Sequence, residues 1–330
     1  MSSILLTGAT GFIGGAILAA LYKAHPEIHV KALIRGQSDA QHLSSIYPNL
    51  QPIQGDLASL DLLKETAGSV DFVIHAAREN IPAAHAFIDG LASSFASNPP
   101  SPRFISISGT RSLIDLSLPV TGVGKDDAQP WSDIGDVRTI LSLPKERPHA
   151  EADQSIVAHA SASGVGAMLV SPGQLWGRGK GHFRKESAAA TAYYAAVSRH
   201  GRAFVVGDGS VAWSWSSIGD LGDAVTLLFD QAMSIRYAEQ PRVGVNEEGY
   251  YLVRTDEVKM KDRAEAISKR LDLGEVERLG VEVAAELHPF GPIMWGSGAT
   301  FRADRLRSLG WRPKEFDWRM LMEEEGNGKA

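Results

Sequence analysis

Seven residues near the start of the chain, Gly8-Ala9-Thr10-Gly11-Phe12-Ile13-Gly14, constrain its fold more than any other stretch. They follow a buried-type strand pattern, Ser3–Thr7, and open a helical pattern, Phe12–Ala24, that ends before Pro26. In such a turn the first glycine permits the tight bend, the second lets the backbone approach a pyrophosphate, and the third lets helix and strand pack closely. The helix start then offers free N–H groups and partial positive charge to phosphate. Strand, turn and helix in this order predict a dinucleotide-binding βαβ unit, with Gly8, Thr10, Gly11, Phe12, Ile13 and Gly14 against the cofactor.

The rest of the first half continues the alternation. Strand patterns over residues 28–34, 50–54, 70–76, 103–108 and 166–171 alternate with helical patterns over 38–47, 59–67, 83–96 and 148–162. Ser59 is placed to cap the helix ending at Ala67, and Pro148 sits in a helical first turn. The pattern predicts an α/β fold, a Rossmann-type doubly wound parallel sheet. After Pro172 the alternation breaks down into helical stretches at 186–199, 221–231 and 258–271 and short strands at 203–206 and 250–253. The expected organisation is a cofactor-binding domain over 1–173, with returning segments near 213–233 and 243–254. A smaller C-terminal α/β substrate domain occupies most of 174–330, and the acidic, then Gly/Asn-rich tail 323–330 is expected to be disordered.

Composition narrows the function classes. A formal net charge of -6 gives no basic footprint for nucleic acid. The absence of cysteine removes disulfides, thiolate metal sites and a cysteine nucleophile. No H-x-x-x-H pair with a third carboxylate ligand suggests a metal, and no G-x-S-x-G elbow suggests a serine hydrolase. With no signal-like segment and no long apolar run, a cytoplasmic protein with no membrane partner is the expectation. A homodimer is compatible with the sequence, which does not fix the oligomeric state.

The second strand pattern ends Leu33-Ile34-Arg35-Gly36, with no acidic residue before Asp39. A cation there accommodates a 2′-phosphate, where an acid would bind the ribose hydroxyl. Arg35 therefore favours NADP(H) over NAD(H).

Further segments carry a family resemblance. Thr7–Gly14 resembles the TGxxGxxG signature of the short-chain dehydrogenase/reductase superfamily, in its extended or atypical epimerase/dehydratase-like branch. Gly55-Asp56-Leu57 is similar to that family's adenine-site motif, and His75-Ala76-Ala77 to the segment lining the cofactor. Ser171-Pro172-Gly173…Trp176-Gly177 resembles the segment beside the nicotinamide. Ile218-Gly219-Asp220-Leu221 and Leu309-Gly310-Trp311-Arg312-Pro313 resemble two later motifs. The resemblance implies cofactor contacts from Asp56, Leu57, Ala76, Ala77, Pro172 and Gly173.

One departure decides the catalytic reading. The family's chemistry uses a Tyr-x-x-x-Lys pair on the helix after the fifth strand, and this chain has no tyrosine between Tyr47 and Tyr193. Ser108 and Thr110 stand where the family's carbonyl-binding hydroxyl would be. One register places Lys145 and His149 on the Tyr and Lys positions; another places His149 and Asp153 there. The second would put His149 and Asp153 on one helix face, the carboxylate orienting a histidine that shuttles protons near neutral pH. An exposed ion pair is the plain alternative.

Other segments suggest substrate contacts. Trp176 opens a Gly-rich basic loop through His182 to Lys185, readable as a lid or as a solvated connection. Tyr193, in the pair Tyr193-Tyr194, is readable as a proton donor in place of the missing tyrosine or as ordinary packing, and Trp213, Trp215 and Trp295 suggest an aromatic-walled pocket, or simple packing. The expected partner is a small molecule, apolar or aromatic. The leading expectation is an NADPH-dependent oxidoreductase acting on a small organic carbonyl or conjugated group. A non-redox cyclase, isomerase or dehydratase, and a non-enzymatic NADP(H) sensor, remain the alternatives.

Overall fold

A computed structural model describes residues 2–96, 101–114, 130–234, 243–314 and 317–319. The tail 323–330 lies outside them. Strand β1 (Ser3–Thr7) leads through the glycine turn into α1 (Phe12–Ala24). There follow β2 (His29–Ile34), α2 (Gln37–Ile46), β3 (Leu50–Gln54), α3 (Leu60–Gly68), β4 (Phe72–His75), α4 (Ile81–Phe95) and β5 (Ser101–Ile107). Then come β6 (Trp131–Ser132), α5 (Val137–Ile140), α6 (Ala150–Ala162), β7 (Val165–Pro172) and β8 (Gln174–Trp176). The chain continues through α7 (Ala188–His200), β9 (Phe204–Val206), β10 (Ala212–Ser217), α8 (Ile218–Ser234) and β11 (Tyr250–Val253). It ends with β12 (Asp256–Lys259), α9 (Met260–Leu271), β13 (Glu277–Leu279), α10 (Val281–Leu287), α11 (Gly291–Gly296), β14 (Phe301–Arg302) and α12 (Asp304–Ser308).

Seven strands form the main sheet, in the order β11-β7-β5-β4-β1-β2-β3. All its pairings are parallel. The order reverses between β1 and β4, and the crevice beyond the carboxyl ends of these strands is where open α/β sheets bind ligands. Period-two alternation divides the core between the two faces. Leu5, Val73, Phe104 and Leu169 face α3, α4 and α6, and Ile4, Leu6, Ile74 and Met168 face α1 and α8. The first cluster runs on without a break into Trp176, Tyr193, Trp215 and Trp295, so the main sheet and the later segments share one apolar core.

Two boundaries differ from the sequence reading for identifiable reasons. The helix expected over 148–162 begins at Ala150, because His149 adopts a left-handed backbone with φ 70° at its N-cap. The helix expected over 258–271 begins at Met260, because the preceding Asp256–Lys259 pairs antiparallel with β10. β10 in turn lies parallel to β8, in a small sheet of order β12-β10-β8.

Candidate functional site

The glycine turn is built by close approach of two strand tips. Gly8 has φ 77°, and a Cβ there would stand 2.5 Å from Ala76 O. A Cβ on Gly14 would strike Gly8 O. Both positions therefore exclude larger residues on steric grounds. Thr7 Oγ1 ties the tips together: it accepts the Ala77 N–H at 3.2 Å and pairs with His75 Nδ1 at 2.8 Å. Gly11 occupies the N-cap of α1 and offers no side-chain acceptor, so the first turn, Phe12 to Gly14, keeps an uncapped end. An anion suits such an end. Thr10, Gly11, Phe12 and Ile13 are all partly exposed there.

The remaining cofactor candidates surround the carboxyl edge. Arg35 is exposed directly after β2. Asp56 follows β3 and is exposed, its Oδ1 accepting the Ala58 N–H at 2.9 Å. Leu57 packs against the core behind it. Pro172 ends β7; its carbonyl accepts the Thr110 hydroxyl at 3.1 Å. Gly173 N–H is held by Ser216 Oγ at 2.8 Å and Val253 O at 3.1 Å, which fixes the crossing from β7 to β8.

Strand register then builds a polar row. Thr7 pairs with His75, His75 with Ser106, Ser106 with Leu169, and Leu169 with Tyr250, so these side chains share the face covered by α4 and α6. One step beyond, the Ser108 hydroxyl donates to Asp153 Oδ2 at 2.8 Å. Tyr250, with no exposed surface, receives the Ser171 hydroxyl at 2.8 Å and also lies within hydrogen-bonding reach of Ser108 and Ser112. A small cleft opens on this cluster, lined by His75, Glu79, Asn80, Ser106, Ser108 and Asp153. His75 Nε2 is buried beside it without a partner.

Burial dominates the electrostatics. It pushes the Asp153 carboxyl up to about 8, the Ser108 hydrogen bond opposing this and the Glu79 charge adding to it. It pushes the His75 imidazole down to about 4, so this ring is neutral near pH 7. Burial also raises the Tyr250 phenol, and the nearby Asp153 carboxyl adds to the shift. His149 is lowered by burial, with Glu79 pulling the other way.

The expected His149–Asp153 pair does not form. His149 stands outside the helix, so the i,i+4 face relation does not apply to it, and its Nδ1 pairs with Glu79 at 2.8 Å. Asp153 turns inward to Ser108 instead. Lys145 is exposed in the turn before α6. Arg147, a loop residue, binds the carbonyls of Ser112 and Ile114 and braces the segment after β5.

The substrate candidates are also rearranged. Trp176 and Trp215 are fully buried and stacked, with ring centroids 4.2 Å apart. Tyr193 is buried with its hydroxyl donated to Phe204 O at 2.6 Å, so it is tied into the core and away from any proton-donor role. Trp295 packs on Tyr193 and Phe204. His182 is exposed against His42 and Tyr47, on the α1–α2 side and apart from those aromatics. Its loop lies there because Gly179 and Gly181 let the backbone rest on Phe12 and Gly15.

Sequence reasoning missed Tyr250, Glu79 and Arg263. Tyr250 gave only a strand signal, and Glu79 is brought in by the loop between β4 and α4, so neither carried a local marker. Arg263 did: it interrupts the apolar stripe Met260, Ala264, Ile267 of α9. Among the described residues no group of three or more His, Asp or Glu could hold a metal ion. No helix there is long and apolar enough to cross a membrane.

The sequence pattern of an NAD(P)H-binding family matches residues 8–201, the stretch that holds the glycine turn and the Ser108–Asp153 pair. The chain belongs to this NAD(P)H-binding family. Among characterised relatives, this NAD(P)H-binding protein is 28% identical to oxidase ucsJ of Acremonium over 94% of its own length and 92% of the relative's. Its fold is similar to that of solved NAD-binding dehydratases and nucleotide-sugar epimerases. WbmH of Bordetella bronchiseptica, solved with NAD+, superposes with a TM-score of 0.65 at 15% identity, covering 98% of this chain and 97% of that one. The UDP-glucose 4-epimerase of Thermotoga maritima, solved with UDP-glucose, gives 0.66 at 14%, covering 98% and 97%.

Proposed function

We propose that the protein is an NADPH-dependent oxidoreductase that reduces a small organic carbonyl or conjugated group without a Tyr-Lys pair. The observation that carries this is the part-buried Ser108–Asp153 hydrogen bond at the carboxyl end of β5. Membership of the NAD(P)H-binding family and the similarity to an oxidase support a redox role. The uncapped start of α1 and the steric glycines fit a pyrophosphate, and exposed Arg35 fits a 2′-phosphate.

When bound, the nicotinamide supplies the hydride. The chain's part is to hold the acceptor and deliver the proton. Asp153, raised to about 8, carries its proton at neutral pH. In that form the carboxyl O–H donates to Ser108 Oγ, and the Ser108 O–H is free to donate to the substrate oxygen. As that oxygen gains negative charge, the Ser108 proton passes to it and the Asp153 proton replaces it on Ser108. Tyr250 and Ser171 hold the pair in place. Thr110, tied to Pro172 O, shapes the segment beside it.

NADPH absorbance in single turnover against a panel of carbonyls tests this. Oxidation by the native chain, reduced about 10²-fold or more in Ser108→Ala with NADPH affinity unchanged, is the expected result. Product formed without NADPH oxidation would point to isomerase, cyclase or dehydratase chemistry. Cofactor binding with no turnover on any substrate would leave a sensor.

A further inference from the structure

Arg263 carries its charge into the core of the later segments. It is 1% exposed on α9. Its guanidinium carbon stands 3.8 Å from the ring centroid of Tyr193 and 5.8 Å from that of Trp176. No carboxylate acts on it among the described residues; the Tyr193 hydroxyl takes one hydrogen bond from it, and its Nε and Nη1 find no acceptor. The buried indole N–H groups of Trp176, Trp213, Trp215 and Trp295 likewise lack acceptors. Gln174 Oε1, on the strand beside Trp215, is a buried acceptor with no donor.

Such a concentration of unanswered donors is unusual in a folded core, where buried polar groups are nearly all paired. A buried cation without its counter-charge is strongly unfavourable, and ring faces offset only part of that. Burial lowers the Arg263 pKa, a direction an anion beside it would reverse. The guanidinium fork matches one ligand group best, a carboxylate bound by two parallel hydrogen bonds. The cluster also follows directly on Gly173, one of the cofactor candidates. Trp176 ends the strand that begins just after Gly173, and Trp215 precedes Ser216, which holds the Gly173 N–H.

We propose that Arg263 anchors a binding site for an organic carboxylate whose carbon skeleton packs against Trp176 and Trp215. The site rests on the oxidoreductase reading only in naming that carboxylate as the substrate. Entry of the ligand exchanges ring contacts on the guanidinium for a charge-assisted pair, the Trp176 ring shifting to admit it while Tyr193 stays tied to Phe204 O. The substrate would then carry its reducible carbonyl toward Ser108 and its carboxylate toward α9.

Tryptophan fluorescence of the full chain reads the site directly, because several of its indoles belong to the cluster. The protein with NADP+ is titrated with 3-phenylpropanoate and, separately, with 3-phenylpropanamide. A saturable change with the carboxylate at least about tenfold tighter than with the amide is expected. Arg263→Met is expected to abolish that preference while NADPH binding, followed by cofactor fluorescence, is retained. Arg263→Lys should keep a weaker preference, and decides the matter together with the native comparison if Arg263→Met does not fold. Equal response to the two probes, no saturable response to either, or a preference that survives in Arg263→Met would overturn the proposal. Carboxylate binding by a chain that never oxidises NADPH would remove the reductase reading and leave this site standing.

Discussion

At the scale of single residues, Asp153 concentrates the chemistry. Its carboxyl is fully enclosed between α6 and the end of β5, bonded to Ser108 and flanked by Glu79 and Tyr250. The proton-delivering form exists below about 8, so carbonyl reduction should fall as pH rises through that value. Asp153→Asn should remove this limb and lower the rate about 10²- to 10⁴-fold. The same residue sets a stability slope. An unfolded Asp releases its proton near about 4. The folded chain holds it to about 8. Within that window the folded state binds the extra proton, so stability falls as pH rises. Melting curves across the window should show that slope in the native chain and a shallower one in Asp153→Asn. Arg35 governs a different discrimination. Loss of a charge-assisted phosphate contact typically costs ~1.5–3 kcal/mol, so Arg35→Ala should weaken NADPH by about 10- to 100-fold. Titrations should find NADH affinity little changed.

At the scale of elements, the contact between the β1 and β4 tips positions the cofactor turn. Gly8→Ala must place a methyl group on a residue with φ 77° and only 2.5 Å from Ala76 O. Strain of that kind costs roughly 1–3 kcal/mol, and the tip of β4 would have to withdraw as well. Urea denaturation should show the loss, and cofactor fluorescence should show NADPH binding weakened with it. The start of α6 shows why helix patterning misjudged the site. Pro148 and the residues after it satisfy a helical first turn, but the left-handed backbone of His149 turns the ring to Glu79. The first inward-facing polar group of the helix is then Asp153. At α4, Asn80 Oδ1 caps the helix through the Ala83 N–H at 2.9 Å, which fixes the segment that presents Glu79.

At the scale of the whole molecule, the question is how the segments after Pro172 are held to the sheet. β11 joins its edge, and Asp133 secures the join: Oδ2 accepts the Leu252 N–H at 3.0 Å and Oδ1 the Arg305 N–H at 2.9 Å. Burial raises this carboxyl to about 6. Asp133→Ala would leave two backbone donors unanswered, at about 1–3 kcal/mol each. Urea unfolding should therefore show a loss of roughly 2–6 kcal/mol. Because β11 also carries Tyr250, turnover should fall with it. Asp220 makes a second tie, accepting the Thr255 hydroxyl at 2.6 Å and the Lys314 N–H at 3.0 Å.

The sequence by itself determined the features that depend on local order. The steric glycines Gly8 and Gly14, the parallel alternation and Arg35 at a strand end are all readable because turn chemistry and side-chain period act between near neighbours. Ser108 and Thr110 were located for the same reason, since they follow a recognisable strand. Only the tertiary structure decided the partners. Ser108 meets Asp153 across 45 positions, His149 meets Glu79 across 70, and Ser171 meets Tyr250 across 79. Those pairings are set by sheet order and register, which bring a late strand beside an early one. The fate of Trp176, Tyr193 and Trp215 was decided in the same way: whether an aromatic lines a pocket or fills a core depends on what packs against it, and here that includes an arginine from α9.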